Sequence, residues 1–285
     1  MKSITLYDKL ECDFVTAEMS DYNWLSHMGE IKEYISDNFK QRNMGLLCDF
    51  ATEINKIYTA VFPNDAVIQK ILDDDASNAM LFVHHPLVWD LSKDPDVAWH
   101  KLNPELLERL KERGISIFNY HVPLDAFGMY STSKTLAEAL GIIIEKSFIE
   151  YGGVFCALIG TTDCKDIYEF NKKYTQVVGH RTKLRQYGES LFSNGKIAVA
   201  AGGGTDIFVL KELAANGLNT LVTGITICSN HTKPAHDFAK KHKINILGGT
   251  HYSSEKYACI AMCNYFNKLG LPSKFIEDAP CFEDL

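Results

Sequence analysis

Two stretches of the sequence repeat one pattern: residues 104–125 read PELLERLKERGISIFNYHVPLD, and residues 234–255 read PAHDFAKKHKINILGGTHYSSE. In each stretch, a helical pattern that opens at a proline is followed by a short apolar run typical of a buried strand. Each run leads to a histidine, His121 or His251, and a carboxylate follows four residues later, at Asp125 or Glu255. Helices that alternate with buried strands are typical of α/β folds.

The same alternation extends through most of the chain. Further helices are predicted over Met28–Phe39, Pro63–Asp75, Asp206–Asn216 and Tyr252–Leu269. Further strands are predicted over Ala79–Val83, Lys196–Ala200 and Leu218–Val222. We therefore expect an α/β fold.

Composition narrows the class of protein. The chain has 285 residues, of which 46% are hydrophobic and 23% charged, so it is long and apolar enough to bury a full core. Its formal net charge of −7 provides no overall basic field for nucleic acid or an anionic membrane surface. We expect one unit over residues 1–285, with approximate halves at 1–145 and 146–285.

A cytoplasmic location is also expected. No apolar run approaches the roughly 20 residues of a membrane-spanning helix, and the first residues, MKSITLYDKLECDF, lack the apolar segment of a secretion signal. The eight cysteines are scattered without a CxxC pair, which is typical of reduced thiols rather than of a disulfide framework.

The matching ends of the two quoted stretches suggest an internal duplication. Upstream of them, Leu81-Phe-Val-His occupies the place that Leu221-Val-Thr-Gly has in the second half, although the chemistry differs. Duplication would bring two sets of strand-end loops to one centre. Chance similarity between short α/β units is the alternative explanation.

Residues suited to metal binding cluster at the predicted strand ends, where ligands gather in open α/β sheets. They are His84, His85, His121, Asp125, His251 and Glu255. Imidazole and carboxylate together suit Zn²⁺, Fe²⁺ or Mn²⁺. If all six converged, they would exceed what one ion needs and would suit two divalent metals. Each pair taken alone is better explained by a packed and an exposed histidine or by a polar pair across one helical turn.

These motifs resemble those of the YbgI/NIF-three family, whose members are commonly labelled GTP cyclohydrolase I type 2-like. The matching segments are Met44-Gly45-Leu46, His84-His85-Pro86-Leu87, His121-x-Pro123-Leu124-Asp125, Gly202-x-Gly204, Thr223-Gly224 and Gly249-Thr250-His251-x-x-x-Glu255. Their order and spacing extend over residues 44–277. The specific motifs are His84-His85-Pro86 and Gly249-x-His251-x-x-x-Glu255, whereas the glycine motifs are not specific.

The resemblance implies a fold of two intertwined, pseudo-repeated α/β halves with mixed sheets, and a dinuclear metal site. Carried over by motif, the ligands are His84, His85, Asp125, His251 and Glu255, with Glu255 bridging the two metals. His121 matches a nearby histidine that supports the ligands or transfers a proton. The resemblance also implies a homo-oligomer, with dimers assembled into a ring-shaped hexamer.

The chain departs from the family pattern in two places. Ile225 stands where an acidic residue often follows the Thr-Gly pair. Only about 55 residues separate Ile142 from Lys196, too few for the domain that longer members insert, so the chain resembles the short form.

Several other motifs carry weaker hypotheses. Gly202–Thr205 precedes a predicted helix and either cradles a phosphate or forms a tight turn. His231 and His236 either line a pocket mouth or have surface and capping roles, whereas His100, His180 and His242 are expected to be structural. Cys259 and Cys263 are expected in a core stripe. The basic cluster, defined as Lys172, Lys173, Arg181, Lys183 and Arg185, is either a solvated face or a contact for an anionic ligand.

Three functions remain open. The first is a metal-dependent hydrolase of the GTP cyclohydrolase kind that acts on a nucleotide or related small molecule, with two divalent ions activating water. The second is a non-catalytic binding or regulatory protein in which metals stabilise a ring-shaped assembly. The third is a metal-independent α/β protein whose histidines are merely packed.

Overall fold

Two mixed sheets form the framework of the protein in a computed structural model that describes residues 1–92, 94 and 96–285. In chain order, the strands are β1 (Gly45–Cys48), β2 (Lys56–Ala60), β3 (Ala79–Val83), β4 (Val88–Trp89), β5 (Trp99–His100), β6 (Ile115–Asn119), β7 (Ile143–Tyr151), β8 (Val154–Thr161), β9 (Lys183–Arg185), β10 (Lys196–Val199), β11 (Thr220–Thr223), β12 (Asn245–Gly248) and β13 (Ser273–Phe275).

The α-helices pack around these sheets. In chain order they are α1 (Ser3–Phe14), α2 (Asp37–Arg42), α3 (Asp65–Asp73), α4 (Pro104–Glu112), α5 (Val122–Asp125), α6 (Thr132–Ala139), α7 (Ile167–Val178), α8 (Ile207–Ala215), α9 (Lys233–His242) and α10 (His251–Lys268). Within the part of the chain that is described, none of them is long and apolar enough to cross a membrane.

Both sheets combine parallel and antiparallel pairs. The first sheet has the strand order β1-β6-β3-β2-β13, in which β6, β3, β2 and β13 are parallel and β1 runs antiparallel to β6. The second has the order β7-β8-β10-β11-β12-β9, with β10, β11 and β12 parallel and the remaining pairs antiparallel. Strands β4 and β5 pair in a separate antiparallel ribbon.

The parallel strands of the two sheets have the same connectivity. Strands β2, β3 and β6 alternate along the chain with α3 and α4, and β10, β11 and β12 alternate with α8 and α9. Because parallel strands end at one edge of a sheet, the loops after β3 and β6 lie together, as do the loops after β11 and β12. The predicted α/β fold with two similar halves and mixed sheets is confirmed.

The halves are intertwined by the last elements of the chain. Helix α10 follows β12 of the second sheet but packs against β2 and β13 of the first. The Thr59 hydroxyl donates to the Cys259 carbonyl at 2.8 Å, and the Cys259 thiol lies 3.1 Å from the Ala60 carbonyl oxygen. Cys263 lies 3.2 Å from the same threonine hydroxyl, so the predicted core stripe faces the first sheet.

Local sequence signals account for the helix ends of the two quoted stretches. The Asn103 side chain accepts a hydrogen bond from the Glu105 amide, and Pro104 opens α4. Gly114, at φ +61°, follows that helix, in a conformation that costs glycine little. Helix α9 ends instead at Lys243, a residue in the left-handed conformation with φ 56°.

The helix predicted over Met28–Phe39 is wrong. The structure has a short 3-10 helix at Gly29–Glu33, and α2 begins separately at Asp37. Ser36 divides the two because its hydroxyl accepts from the Phe39 amide as the cap of α2 and also donates to the Leu46 carbonyl. The apolar spacing that suggested one helix instead buries Ile31 and Ile35 in the core.

The contact between α10 and the first sheet is expected to carry much of the stability. Phe266 on α10 is fully buried, and its ring centroid lies 5.5 Å from that of Phe82. Phe266→Ala should lower the free energy of unfolding by about 3–5 kcal/mol, because it removes buried area and leaves a cavity. Chemical denaturation measures this change. Ile260→Ala on the exposed face of the same helix is the control and should cost under about 1 kcal/mol; equal losses would contradict the packing described.

Candidate metal centre

The strand-end loops of both sheets bring together the six predicted site residues, which are His84, His85, His121, Asp125, His251 and Glu255. The first two follow β3. His121 caps α5 after β6 and Asp125 ends it, while His251 opens α10 after β12 and Glu255 lies one turn further along. Both halves of the fold therefore contribute side chains to a single cluster.

The Glu255 carboxylate lies at the middle of this cluster. Its Oε1 atom is 3.2 Å from His251 Nε2 and 3.5 Å from His84 Nε2. Its Oε2 atom is 3.0 Å from His85 Nε2, which donates a hydrogen bond to it. One carboxylate thus faces imidazoles that come from both sheets.

Asp125 and His121 extend the cluster on the side of α5. Asp125 Oδ1 lies 3.6 Å from His84 Nε2, and Asp125 Oδ2 lies 3.6 Å from His121 Nε2. The Thr132 hydroxyl donates to Asp125 Oδ1 at 2.6 Å and so fixes the carboxylate. His84 Nδ1 donates to the Tyr120 carbonyl at 3.0 Å, which directs its Nε2 atom toward the two carboxylates.

The cluster fits a metal ion by its chemistry and burial. His84, His85, His251 and Glu255 are each at most 3% exposed. His84 Nε2, His85 Nδ1 and His251 Nδ1 are buried without a hydrogen-bond partner among the described residues. Ligand atoms of His85, His251 and Glu255 lie within 4.8 Å of one another, as do those of His84, His85 and His121. Imidazole nitrogens beside a buried carboxylate, with His84 Nε2 unpaired among them, are a donor set that can hold a divalent cation.

Gly202 allows the Glu255 carboxylate to occupy this position. A Cβ atom at Gly202 would lie 2.0 Å from Glu255 Oε1 and 3.2 Å from His251 Nε2. Its amide donates to the Ser254 hydroxyl at 2.8 Å, which holds the turn against α10. Because Gly202 has no side chain, the backbone of the predicted Gly202–Thr205 turn can lie directly against the cluster.

Charges within the cluster shift its pKa values in opposite directions. Burial acts to raise the pKa of Glu255, but the imidazoles of His251, His85 and His84 outweigh it and hold that pKa well below its usual range. Burial acts to lower the pKa of His84, yet the Glu255 and Asp125 carboxylates raise it to about 9. Burial lowers the pKa of His85 well below its usual value. The carboxylates thus favour the charged form of His84, whereas burial favours the neutral form of His85.

Asp21 is a site residue that the sequence analysis missed. Its Oδ1 atom accepts from His121 Nδ1 at 2.8 Å and from the Trp24 indole at 3.0 Å, and the carboxylate also accepts from the Val122 amide. Burial opposes ionisation of Asp21, but His121 lowers the pKa of that carboxyl overall. The pKa of His121 is raised, because Asp21 outweighs burial. No local signal links Asp21 to His121, which lies 100 positions away.

Asp284 is a second missed residue, and it holds the start of α10. Its carboxylate accepts from the His251 amide at 2.7 Å and from the Trp89 indole at 2.9 Å. A carboxylate at a helix N-terminus is favoured by the helix dipole. Asp284 thereby fixes the backbone that carries His251.

A cavity of about 670 Å³ opens beside the cluster. His85, His121, Asp125, His251 and Glu255 all contribute to its wall. Exposed His231 lines the cavity, as the pocket hypothesis for it predicted. Ile225, which stands where the family often has an acid, also lines it and presents an apolar side chain.

Four other histidines have structural contacts, whereas His27 lines the cavity and lies 3.0 Å from the Tyr22 hydroxyl. His236 is buried between the Tyr187 hydroxyl and the Ile227 carbonyl. His180 bonds to the Ser253 hydroxyl, and His100 to the Asp90 carbonyl. His242 stacks on Phe238, with ring centroids 4.0 Å apart.

Metal binding is expected to release a proton and to strengthen with pH. A metal binds neutral imidazole, whereas a His84 pKa of about 9 leaves that ring mostly protonated at neutral pH. The apparent affinity for Zn²⁺ should therefore rise about tenfold per pH unit between roughly pH 7 and 9, and then level off. Titration calorimetry in buffers of different ionisation enthalpy measures the proton count. Zero protons released at pH 7, with a pH-independent affinity, would contradict the charge state described.

Known proteins resemble this chain over most of its length. A Borreliella burgdorferi protein named GTP cyclohydrolase 1 type 2 homolog is 24% identical over 247 residues, which cover 86% of this chain and 90% of that protein. A Pyrococcus horikoshii protein of the same name is 27% identical over 245 residues, covering 84% and 90%.

Solved structures show the same fold. Protein ybgI, of unknown function, superposes with a TM-score of 0.73 at 18% identity, covering 99% of this chain and 100% of that one. Reduced HcgD from Methanocaldococcus jannaschii superposes with a TM-score of 0.65 at 20% identity, covering 98% of each chain. The sequence model of the Duf34/NIF3 (NGG1p interacting factor 3) family matches residues 26–279. The chain therefore belongs to the Duf34/NIF3 family.

Proposed function

We propose that the protein binds two divalent metal ions in this cluster and hydrolyses a small-molecule substrate in the adjoining cavity. The single observation that carries the proposal is the Glu255 carboxylate, whose two oxygens face different imidazoles, Oε1 toward His84 and His251 and Oε2 toward His85. A carboxylate in that position is suited to bridge two cations. The name of the relatives, GTP cyclohydrolase 1 type 2 homolog, supports hydrolysis as the reaction class.

The proposed ligands are His84, His85, Asp125, His251 and Glu255. Their number exceeds the three protein ligands that a single catalytic zinc takes. Zn²⁺, Fe²⁺ and Mn²⁺ all suit imidazole and carboxylate donors. When bound, a pair of such ions lowers the pKa of water and polarises the bond that is cut.

The chain's own contribution to proton transfer is assigned to His121. Its Nδ1 atom is held by Asp21, so Nε2 is directed toward Asp125 and the cavity. A histidine with one nitrogen fixed by a carboxylate has a defined tautomer and an available second nitrogen. His121 is thus suited to move a proton at Nε2, with Asp21 as its positioning residue.

The expected homo-oligomer stays a prediction. Exposed apolar side chains support it: Phe127, Met129 and Phe155 are 43%, 65% and 52% exposed. The Phe127 amide bonds to the Phe155 carbonyl, so two of these side chains lie on neighbouring backbone.

Glu255→Gln tests the metal part of the proposal. The intact chain should bind two equivalents of Zn²⁺ or Mn²⁺ by elemental analysis after gel filtration. The variant should retain at most one, with affinity lowered on the order of 100-fold, because a neutral amide cannot bridge two cations. His242→Gln is the matched control, since that ring stacks on Phe238 away from the cluster, and it should retain two.

The reaction class is tested separately on the metal-reconstituted chain. Formate release is followed with a guanine compound, supplied as guanosine and as GTP, after loading with Zn²⁺, Fe²⁺ or Mn²⁺ in turn. We expect release that disappears in Glu255→Gln. Two metals bound with no release under any of these conditions would contradict a GTP cyclohydrolase-like reaction and would favour another hydrolytic substrate or a non-catalytic binding role.

Asp21→Asn tests the role of His121. The substitution keeps an oxygen for the Val122 amide but removes the charge that raises the pKa of His121. Turnover should fall about 100-fold or more, and the limb of the pH–rate profile that reports His121 should move to lower pH. Metal content should stay at two. Asp163→Asn, an exposed carboxylate paired with Lys173, is the control; a loss of turnover with an unmoved profile would count against the assignment.

A further inference from the structure

Aromatic rings wall the cavity next to the metal cluster. All three tryptophans of the chain line it, each beside an imidazole of the cluster. Ring centroids lie 5.1 Å apart for Trp24 and His121, and 4.9 Å apart for Trp99 and His85. For Trp89 and His251 the separation is 4.4 Å. A molecule that reaches the cluster must therefore lie against indole rings, which favour flat aromatic ligands.

The rest of the wall is also largely apolar. Ile149, Val209, Ile225 and Ile227 contribute aliphatic side chains, and Phe208 presents a ring that is 41% exposed. These residues come from the second half of the fold, whereas the tryptophans come from the first. Both halves thus present surfaces that favour an apolar, weakly hydrated ligand.

The ionisable side chains in the wall are unsuited to a polyphosphate. Among the described residues that line the cavity there are carboxylates and histidines but no lysine or arginine. Two of the carboxylates, Asp125 and Glu255, belong to the metal cluster, where bound cations would offset them. Asp96 and Asp206 remain as anionic groups away from the cluster. Sites for phosphate chains ordinarily supply guanidinium, ammonium or free amide donors.

The glycine-rich turn that suggested a phosphate cradle leads into a helix whose N-terminus is already capped by a side chain. Gly203, Gly204 and Thr205 line the cavity ahead of helix α8, where an anion could approach the helix N-terminus. The Asp206 carboxylate occupies that end by accepting from the Phe208 amide at 2.9 Å. The Thr205 hydroxyl donates to the Ile225 carbonyl at 2.5 Å. The tight-turn explanation of this segment is therefore favoured, and a negative charge stands where a phosphate would have to bind.

The basic cluster predicted from the sequence does not supply the missing cations. None of its five members is among the described residues that line the cavity. Lys173 pairs with Asp163, and Arg185 donates to the carbonyls of Thr226 and Leu285. Arg181 lies over the Phe282 ring at 4.7 Å.

We propose that the cavity takes a planar heteroaromatic molecule of about nucleoside size that carries no phosphate arm, in preference to a nucleoside triphosphate. The proposal rests on the proposed function, since the ligand's ring is the part brought to the metal cluster. It narrows the substrate class from nucleotides in general to uncharged or cationic heteroaromatic compounds. Contact with the aromatic walls provides the affinity for the planar ring. The Asp96 and Asp206 carboxylates, which no lysine or arginine of the described wall neutralises, repel a phosphate chain.

The preference for a ligand without phosphate is tested by measuring how tightly the Zn²⁺-loaded full chain binds compounds that differ in phosphate content or lack the ring. The probes are guanosine, GMP, GTP and ribose, and the signal is tryptophan emission, which reports on the cavity because all three tryptophans line it. Guanosine should bind at least tenfold more tightly than GTP, with GMP between them. The difference in affinity should grow at low salt, because repulsion between the carboxylates and the phosphates is then screened less. Ribose, which lacks the ring, should bind at least tenfold more weakly than guanosine. GTP binding as tightly as guanosine, or ribose matching it, would overturn the proposal.

Asp206→Asn adds a test at one residue. Asparagine is an equally good helix cap, so the substitution removes the charge and keeps the fold. Affinity for GTP should rise about threefold while affinity for guanosine stays unchanged. Asp166→Asn is the matched control, because Asp166 caps α7 in the same way and is not among the residues that line the cavity. An equal effect of both substitutions, or none from Asp206→Asn, would count against the exclusion of anions.

The metal content of each sample, measured before and after titration, separates the two proposals. Two equivalents retained together with a preference for GTP would overturn the ligand class and leave the dinuclear site standing. Fewer than two equivalents of Zn²⁺ in the loaded chain before titration would overturn the dinuclear site itself.

Discussion

The Glu255 carboxylate is the group on which the arrangement of the two halves depends. It is 3% exposed, and an anion so deeply buried is costly unless it is paired. Its partners come from β3 of the first sheet and from the start of α10 after the second, so satisfying it requires both sheet edges to meet. The backbone must also come close, and Gly202 allows this because a Cβ there would lie 2.0 Å from the carboxylate. Side chains from both halves of the fold therefore meet at the Glu255 carboxylate.

The raised pKa of His84, about 9, follows from the same constraint. Its imidazolium offsets part of the negative charge of Glu255 and Asp125 when no cation is bound. Part of the negative charge of the cluster is thus balanced by a group of the chain itself.

Segments outside the repeated strand–helix units, β2 to β6 and β10 to β12, complete the site. Asp21 precedes β1 and orients His121, while Asp284 follows β13 and holds the backbone of His251. Both carboxylates also accept from a tryptophan indole, of Trp24 and Trp89, so they fix the aromatic wall of the cavity together with the cluster. The geometry of the imidazoles and the shape of the ligand space are consequently coupled.

The relatives' name points to GTP, whereas the described cavity wall has aromatic faces and no cationic clamp for phosphates.

The sequence alone determined the alternation of helices and strands, because helix caps, apolar periodicity and strand-end motifs act between residues only a few positions apart. It also predicted which histidines and carboxylates would gather at strand ends, since parallel strands share one edge. The same periodicity was misleading over Met28–Phe39, where a serine cap that bonds across to Leu46 breaks the helix. Tertiary structure alone decided that Asp21, Asp284 and the three tryptophans surround the cluster. The contacts of Asp284 with His251 and of Asp21 with His121 join residues 33 and 100 positions apart, and packing, not local propensity, selects them.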